Sequence, residues 1–173
     1  VDNYFNKIDK ILELFTDELV KYFSNSELFN IFKSNKRILL FLIESKIIIF
    51  DEFIAKRIVE CKYLIKKYPE YFQPEIRPFI KEKWFPQNLV SEIQKEVPED
   101  FYERRKIGEN DNFICRIIQK DSLDDFIVYI NETNYPLEST IRPSKYETNN
   151  FLLKEKNDQT TLIEYAAFFG SIQ

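Results

Sequence analysis

Apolar residues three or four apart open the chain. Phe5, Ile8, Leu12, Phe15, Leu19 and Phe23 draw one stripe along a helix starting near Asp2 or Asn3, with Lys7, Asp9, Lys10 and Glu13 on its other face. Asn25 or Ser26 is placed to cap a short helix holding Leu28, Phe29 and Phe32, and Asn35 breaks the chain before Arg37 to Glu44. The run Ile38 to Ile43 is apolar on all sides, as a buried strand would be, but capped helices flank it and a buried helix is expected. After an apolar connection, Ile47 to Phe50, Asp51 caps an amphipathic helix through Phe53, Ile54, Ile58, Val59, Cys61, Leu64 and Ile65, which Pro69 ends.

Pro74 suits the first turn of the next short helix and Pro78 limits it, while Pro86 and Pro98 open further ones and Gly108 stops the helix from Phe101 to Ile107. Tyr71, Phe72, Phe79, Ile80, Trp84 and Phe85 interleave with these prolines, so a rigid packed corner is expected rather than a linker. Exposed aromatics would instead form a peptide groove; core packing is preferred.

The pattern changes near Asn112. The run Thr161-Leu162-Ile163-Glu164-Tyr165-Ala166-Ala167-Phe168-Phe169-Gly170 resembles the opening of an ankyrin repeat: a turn, a helix with paired small residues, then glycine before a second helix. Stacked helix pairs approach closely only over small side chains, and the turn favours a residue tolerant of positive φ. Two of the chain's three alanines and one of its two glycines fall at those positions. Leu162 stands where the family has proline and Glu164 where it has histidine, so the repeat is degenerate.

Aligning Asp121 with Gly170, 49 residues on, reveals a weaker copy, with Phe113-Ile114 meeting Leu162-Ile163 and Ser122-Leu123 meeting Ser171-Ile172. Its second helix runs through Phe126, Ile127, Tyr129 and Ile130, and Ile117 and Ile118 occupy the small-residue positions, as suits a capping repeat. The spacing exceeds the usual period by about 16 residues. That excess, near Thr133 to Leu153, predicts a long loop that is either a contact surface or merely mobile, with Tyr135 and Tyr146 as contact candidates.

The arrangement resembles the protist ankyrin-repeat proteins, abundant in trichomonads, that carry a helical N-terminal domain without an assigned role. Arg37 to Glu44, Tyr71 to Ile80 and Thr161 to Gly170 carry the likeness. It implies an all-α fold, with a helical solenoid-like N-terminal domain over residues 1–108 and divergent ankyrin-type repeats over 109–173, the second one truncated. It also implies a non-catalytic scaffold or adaptor with a protein partner. The absence of Met predicts an internal start, and a natural continuation into further repeats is expected, since an array needs about three to be stable. An uncovered repeat end would favour self-association.

Composition narrows the chemistry. A net charge of -4 opposes a dominant electrostatic hold on nucleic acid or anionic membrane, and no apolar run is long enough to cross a bilayer. Cys61 and Cys115 lack partners at ligand spacing, so reduced thiols in an intracellular, cytoplasmic protein are expected, without metal or cofactor. With 0 histidines the commonest general base is missing. Glu99, Asp100, Glu103, Asp124 and Asp125 read as helix-dipole residues rather than catalytic carboxylates. The rival to a protein partner is single-stranded nucleic acid held by Arg77, Lys81, Lys83, Trp84, Arg104, Arg105 and Lys106, although intervening Glu82 and Glu103 make these look like ordinary solvated helix faces.

Overall fold

A computed structural model describes residues 2–60, 68–153 and 159–171, and side chains from residue 7 onward. The described residues are all-α apart from an isolated antiparallel bridge between Thr140 and Thr161. They fall into two compact units, residues 1–107 and 108–173.

The first stripe forms two helices rather than one: α1 (Asp2–Leu14) and α2 (Thr16–Tyr22). Phe15 interrupts them, its N–H reaching back to the Leu12 carbonyl at 3.2 Å, while the Thr16 hydroxyl donates to the same oxygen at 3.3 Å. The expected stripe is thereby divided: Leu12 and Leu19 pack on the core, whereas Phe15 and Phe23 are exposed. The next helix, α3 (Asn25–Phe32), is capped one residue earlier than expected, by Ser24. The Ser24 N–H donates to Glu27 Oε2 at 2.8 Å and its hydroxyl accepts from the Glu27 N–H, a reciprocal capping box. This frees Asn25 to bond Ile49 through both ends of its amide, tying the connection before Asp51 to α3.

Asn35 caps α4 (Lys36–Glu44) and buries Leu39, Leu40 and Leu42, as the apolar run requires. Asp51 accepts the Ile54 N–H at 2.9 Å and starts α5 (Glu52–Glu60). The expected extension through Cys61, Leu64 and Ile65 lies outside the described residues; Pro69 sits in the first turn of α6 (Tyr68–Tyr71). The corner is packed. α6, α7 (Gln73–Ile76) and a 3-10 turn (Arg77–Phe79) place Tyr68, Tyr71, Phe72 and Ile76 in the core, with Phe85 and Ile93 of the following α8 (Gln87–Gln94) region. Gln73 and Arg77 together bind the carbonyls of Ile93 and Lys95, fixing the end of α8. α9 (Phe101–Ile107) completes this unit.

The second unit contains α10 (Phe113–Gln119), α11 (Leu123–Thr133) and α12 (Leu162–Phe169), with α10 packed against both of the others. Its core joins Ile114, Cys115, Ile118, Ile141, Leu162 and Tyr165. No helix among the described residues is long and apolar enough to cross a membrane.

Candidate functional site

α10 and α12 begin and end by the same backbone scheme, 49 residues apart. Asn112 and Thr161 are their N-caps, and the Arg116 and Tyr165 N–H groups donate to those two carbonyls at 3.1 and 3.0 Å. At the other end Asp121 and Gly170 are both left-handed, with φ of 52° and 73°. Asp121 N–H donates to Ile118 and Ser122 N–H to Ile117; Gly170 and Ser171 repeat those bonds to Ala167 and Ala166. These paired bonds close a helix through a left-handed residue. Gly170 carries the conformation without Cβ strain, while Asp121, a residue type that tolerates it, carries it at some cost.

The caps differ in chemistry. Thr161 and Glu164 form a reciprocal capping box, so Glu164 braces the turn from within α12. Asn112 makes no side-chain cap; its amide instead donates to the Arg142 carbonyl at 2.7 Å. The Ser171 hydroxyl donates to the Ile118 carbonyl at 2.6 Å, joining the equivalent turns of the two segments.

Between these helices lies an apolar cleft of about 260 Å³, lined by Ile117, Leu123, Phe126, Leu137, Leu162, Ile163 and Ala166. Ala166 is partly buried against the core, but Ala167 and Gly170 are exposed and nothing approaches the place of a Gly170 Cβ. Ile117 and Ile118, at the same positions in the earlier segment, are buried.

Residues 134–153 form the long helix-free segment expected from the spacing, but part of it packs into the unit rather than projecting as a contact surface. Ile141, Ser144, Tyr146, Glu147 and Thr148 are buried. The Ile141 N–H donates to the Thr160 carbonyl at 2.8 Å, Ser144 donates to Asp111 at 2.6 Å, and the Thr148 N–H and hydroxyl both donate to the Gly108 carbonyl. A Cβ at Gly108 would come within 2.7 Å of the Thr148 hydroxyl, so this glycine, besides stopping a helix at φ 74°, makes room for the returning chain. Tyr146, expected as a contact candidate, is 2% exposed and belongs to the interior; Tyr135 is partly buried against Tyr129.

Of the cations expected to hold an anionic partner, the three arginines are engaged within the chain, while Lys81, Lys83 and Lys106 are exposed. Arg105 is 3% exposed, binds both Glu75 oxygens at 2.8 Å and stacks on Phe101 and Tyr102. Arg104 donates to Asp100 at 2.7 Å, Arg77 to backbone carbonyls, and the Trp84 indole to Glu52 at 2.7 Å, its ring packed on the core. A mixed-charge cavity of about 520 Å³ elsewhere in the first unit is lined by Asp9, Lys10, Glu13, Arg37, Glu44 and Lys106. Burial raises the Asp9 carboxyl pKa, against the lowering effect of Arg37.

Comparison with protein-family models, with curated proteins and with solved structures found no match for this chain. Cys115 is buried and its thiol is pushed up to about 12, first by burial and then by the nearby Glu147 charge, which removes the thiolate a nucleophile needs. Among the described residues no group of His, Cys, Asp and Glu is arranged to hold a metal ion.

Sequence reasoning missed the cleft because its walls come from Ile117, Leu123 and Leu137 together with α12. Alternation along one helix cannot reveal a surface shared by four segments.

Proposed function

We propose that the chain is a non-catalytic protein-interaction module, a scaffold or adaptor, whose second unit is a divergent ankyrin-type repeat followed by the start of another. The observation that carries this reading is the repetition of one capping and turn scheme, Asn112 to Ser122 and Thr161 to Ser171, on two helices packed together. Repeats of this kind bury their own apolar faces by stacking and recognise partners by the shape of the stacked surface. The first unit has the character of a support: Tyr68, Tyr71, Phe72, Phe101 and Arg105 face inward.

The rival, an anionic partner held by basic and aromatic side chains, has less behind it, because Arg77, Arg104 and Arg105 are engaged with carbonyls and carboxylates. The test is affinity capture with the 173-residue chain, with and without nuclease and across a salt series. The adaptor reading expects discrete proteins retained after nuclease treatment. Retention of nucleic acid, falling steeply with salt in proportion to the phosphates contacted, would overturn it.

A further inference from the structure

We propose that α1 and α2 form a strap that opens and closes over α4 and the end of α9, with Asp9 as its catch: the neutral carboxyl holds the strap down and the carboxylate loosens it. This device lies within the first unit and does not depend on the repeat reading.

The strap is held by little. From Lys7 to Ser24 no described side chain is buried. Its inner seam consists of Ile8, Asp9, Leu12, Thr16 and Leu19, all partly buried, and of these Leu12 and Leu19 pack on the core. Ile11, Leu14, Phe15, Val20 and Tyr22 remain exposed. Helices of 13 and 7 residues are marginal in water on their own, so α1 and α2 depend on that seam. Beneath them α3 buries Leu28 and Phe29, and α4 buries Leu39, Leu40 and Leu42. Lifting the strap therefore leaves a core that stands without it.

Asp9 is the misfit in the seam. Its Oδ1 is closed off from solvent with no hydrogen-bond partner among the described residues. The cavity it borders brings together Arg37 and Glu44 from α4, Lys106 from α9, and Lys10 and Glu13 from its own helix. The Arg37 guanidinium donates to the Ile107 carbonyl at 3.0 Å, and Lys106 is exposed. Sequestering a carboxylate that lacks hydrogen bonds disfavours its charged form. Burial outweighs the lowering by Arg37 and Lys106, and Glu13 adds to it, so the docked carboxyl lies above its ordinary 3.8. Once the strap lifts, Asp9 returns to water and to that ordinary value. The closed state therefore binds a proton more readily than the open one. Closure is strongest below the open-state value and weakens as pH rises through the docked one, so neutral pH favours opening.

The test is amide hydrogen exchange by mass spectrometry on the 173-residue chain, with each rate divided by its intrinsic rate at that pH. Asp9→Asn keeps the shape and removes the charge; at about pH 7 it should slow exchange across residues 2–22 about twofold or more, with α4 and α5 unchanged. In the native chain, protection of residues 2–22 relative to α4 should rise about twofold or more from about pH 7 to about pH 4. Asp9→Asn should abolish that rise, while Glu18→Gln, an exposed carboxyl of α2 outside the cavity lining, should keep it. Leu12→Ala removes one of the two anchors and should speed exchange of residues 2–22 at least about tenfold while α4, α5 and α8 keep their rates. Protection of residues 2–22 equal to that of α4, loss of α4 together with the strap in Leu12→Ala, or a native chain without the pH dependence would overturn the proposal. So would faster exchange in Asp9→Asn, which would mean that the carboxylate, through Arg37, holds the strap down.

Discussion

The Gln119 amide donates to the Tyr165 hydroxyl at 2.6 Å, joining the last turn of α10 to the middle of α12. Tyr165 is 1% exposed and also lowers the pKa of the Cys115 thiol on the facing helix, against the effect of burial. Tyr165→Phe keeps the ring and removes that hydroxyl. It should cost about 1–2 kcal/mol, because the Gln119 amide on α10 loses a partner. A double-mutant cycle with Gln119→Leu should show a coupling of about 0.5–3 kcal/mol in urea unfolding. Strict additivity would mean that the two helices are not joined here.

Asp121 and Gly170 hold equivalent turns with different side chains, and their substitutions should move stability in opposite directions. Asp121→Gly relieves a Cβ at φ 52° and should stabilise by about 0.5–1 kcal/mol, while Gly170→Ala should destabilise by about 1–2 kcal/mol although its surroundings are open. Gly170→Val adds a β-branched side chain to the same strain and should cost more. Thermal melting checks all three. A neutral Gly170→Val would mean that residue 170 does not hold a left-handed turn in solution.

The two turns also show what was legible in the sequence. Thr161, Ala166, Ala167 and Gly170 stand out in a chain with so few small residues, and the positive φ they implied is present at Gly170 and Asp121. The helical class, the Asn35 and Asp51 caps and the helix over Ile38 to Ile43, which buries Leu39, Leu40 and Leu42, follow from local pattern in the same way. Long-range chemistry was not legible. Ser24 is hidden as a cap because Asn25 and Ser26, equally good capping residues, follow it, and only the reach of Asn25 to Ile49 decides among them. The loop over residues 134–153 is legible, but its packing is not, because its polar side chains bond to distant backbone, as Thr148 does to Gly108.

Arg105 belongs to this second class: in the run Glu103-Arg104-Arg105-Lys106 it looks solvated, yet it is interior and bound to Glu75 from α7. Arg105→Ala should cost about 3–5 kcal/mol, since it leaves Glu75 partly buried without its counter-ion. Arg105→Lys should also destabilise, because an ammonium cannot reproduce the guanidinium's planar set of donors. Neighbouring Lys106→Ala should stay within about 0.5 kcal/mol, Lys106 being exposed. Denaturant midpoints distinguish these, and an Arg105→Ala change as small as that of Lys106 would place Arg105 at the surface.

Alkaline pH should weaken the fold. Burial raises the Cys115 thiol to about 12 from an ordinary 9.0, and it also pushes the Tyr68, Tyr71 and Tyr165 phenols above their usual value. The unfolded chain therefore releases these protons at lower pH than the folded chain, binds fewer of them, and gains in relative stability as pH rises. The contribution of Cys115 is intact below its unfolded value and is lost progressively between 9.0 and about 12. Urea midpoints should hold steady between about pH 7 and 8.5 and be lower by about pH 10.5. In the same range native Cys115 should resist alkylation at neutral pH and react once the chain unfolds, as peptide mapping would show.

Amide hydrogen exchange on the 173-residue chain addresses most directly whether residues 108–171 hold two stacked copies of one repeat. Slow exchange should be shared by α10 and α12, and Ser171→Ala combined with Tyr165→Phe should accelerate both helices by a similar factor, because the bonds removed join one to the other. Rapid exchange of α12 beside a protected α10, with α10 indifferent to the double substitution, would contradict the stacked pair.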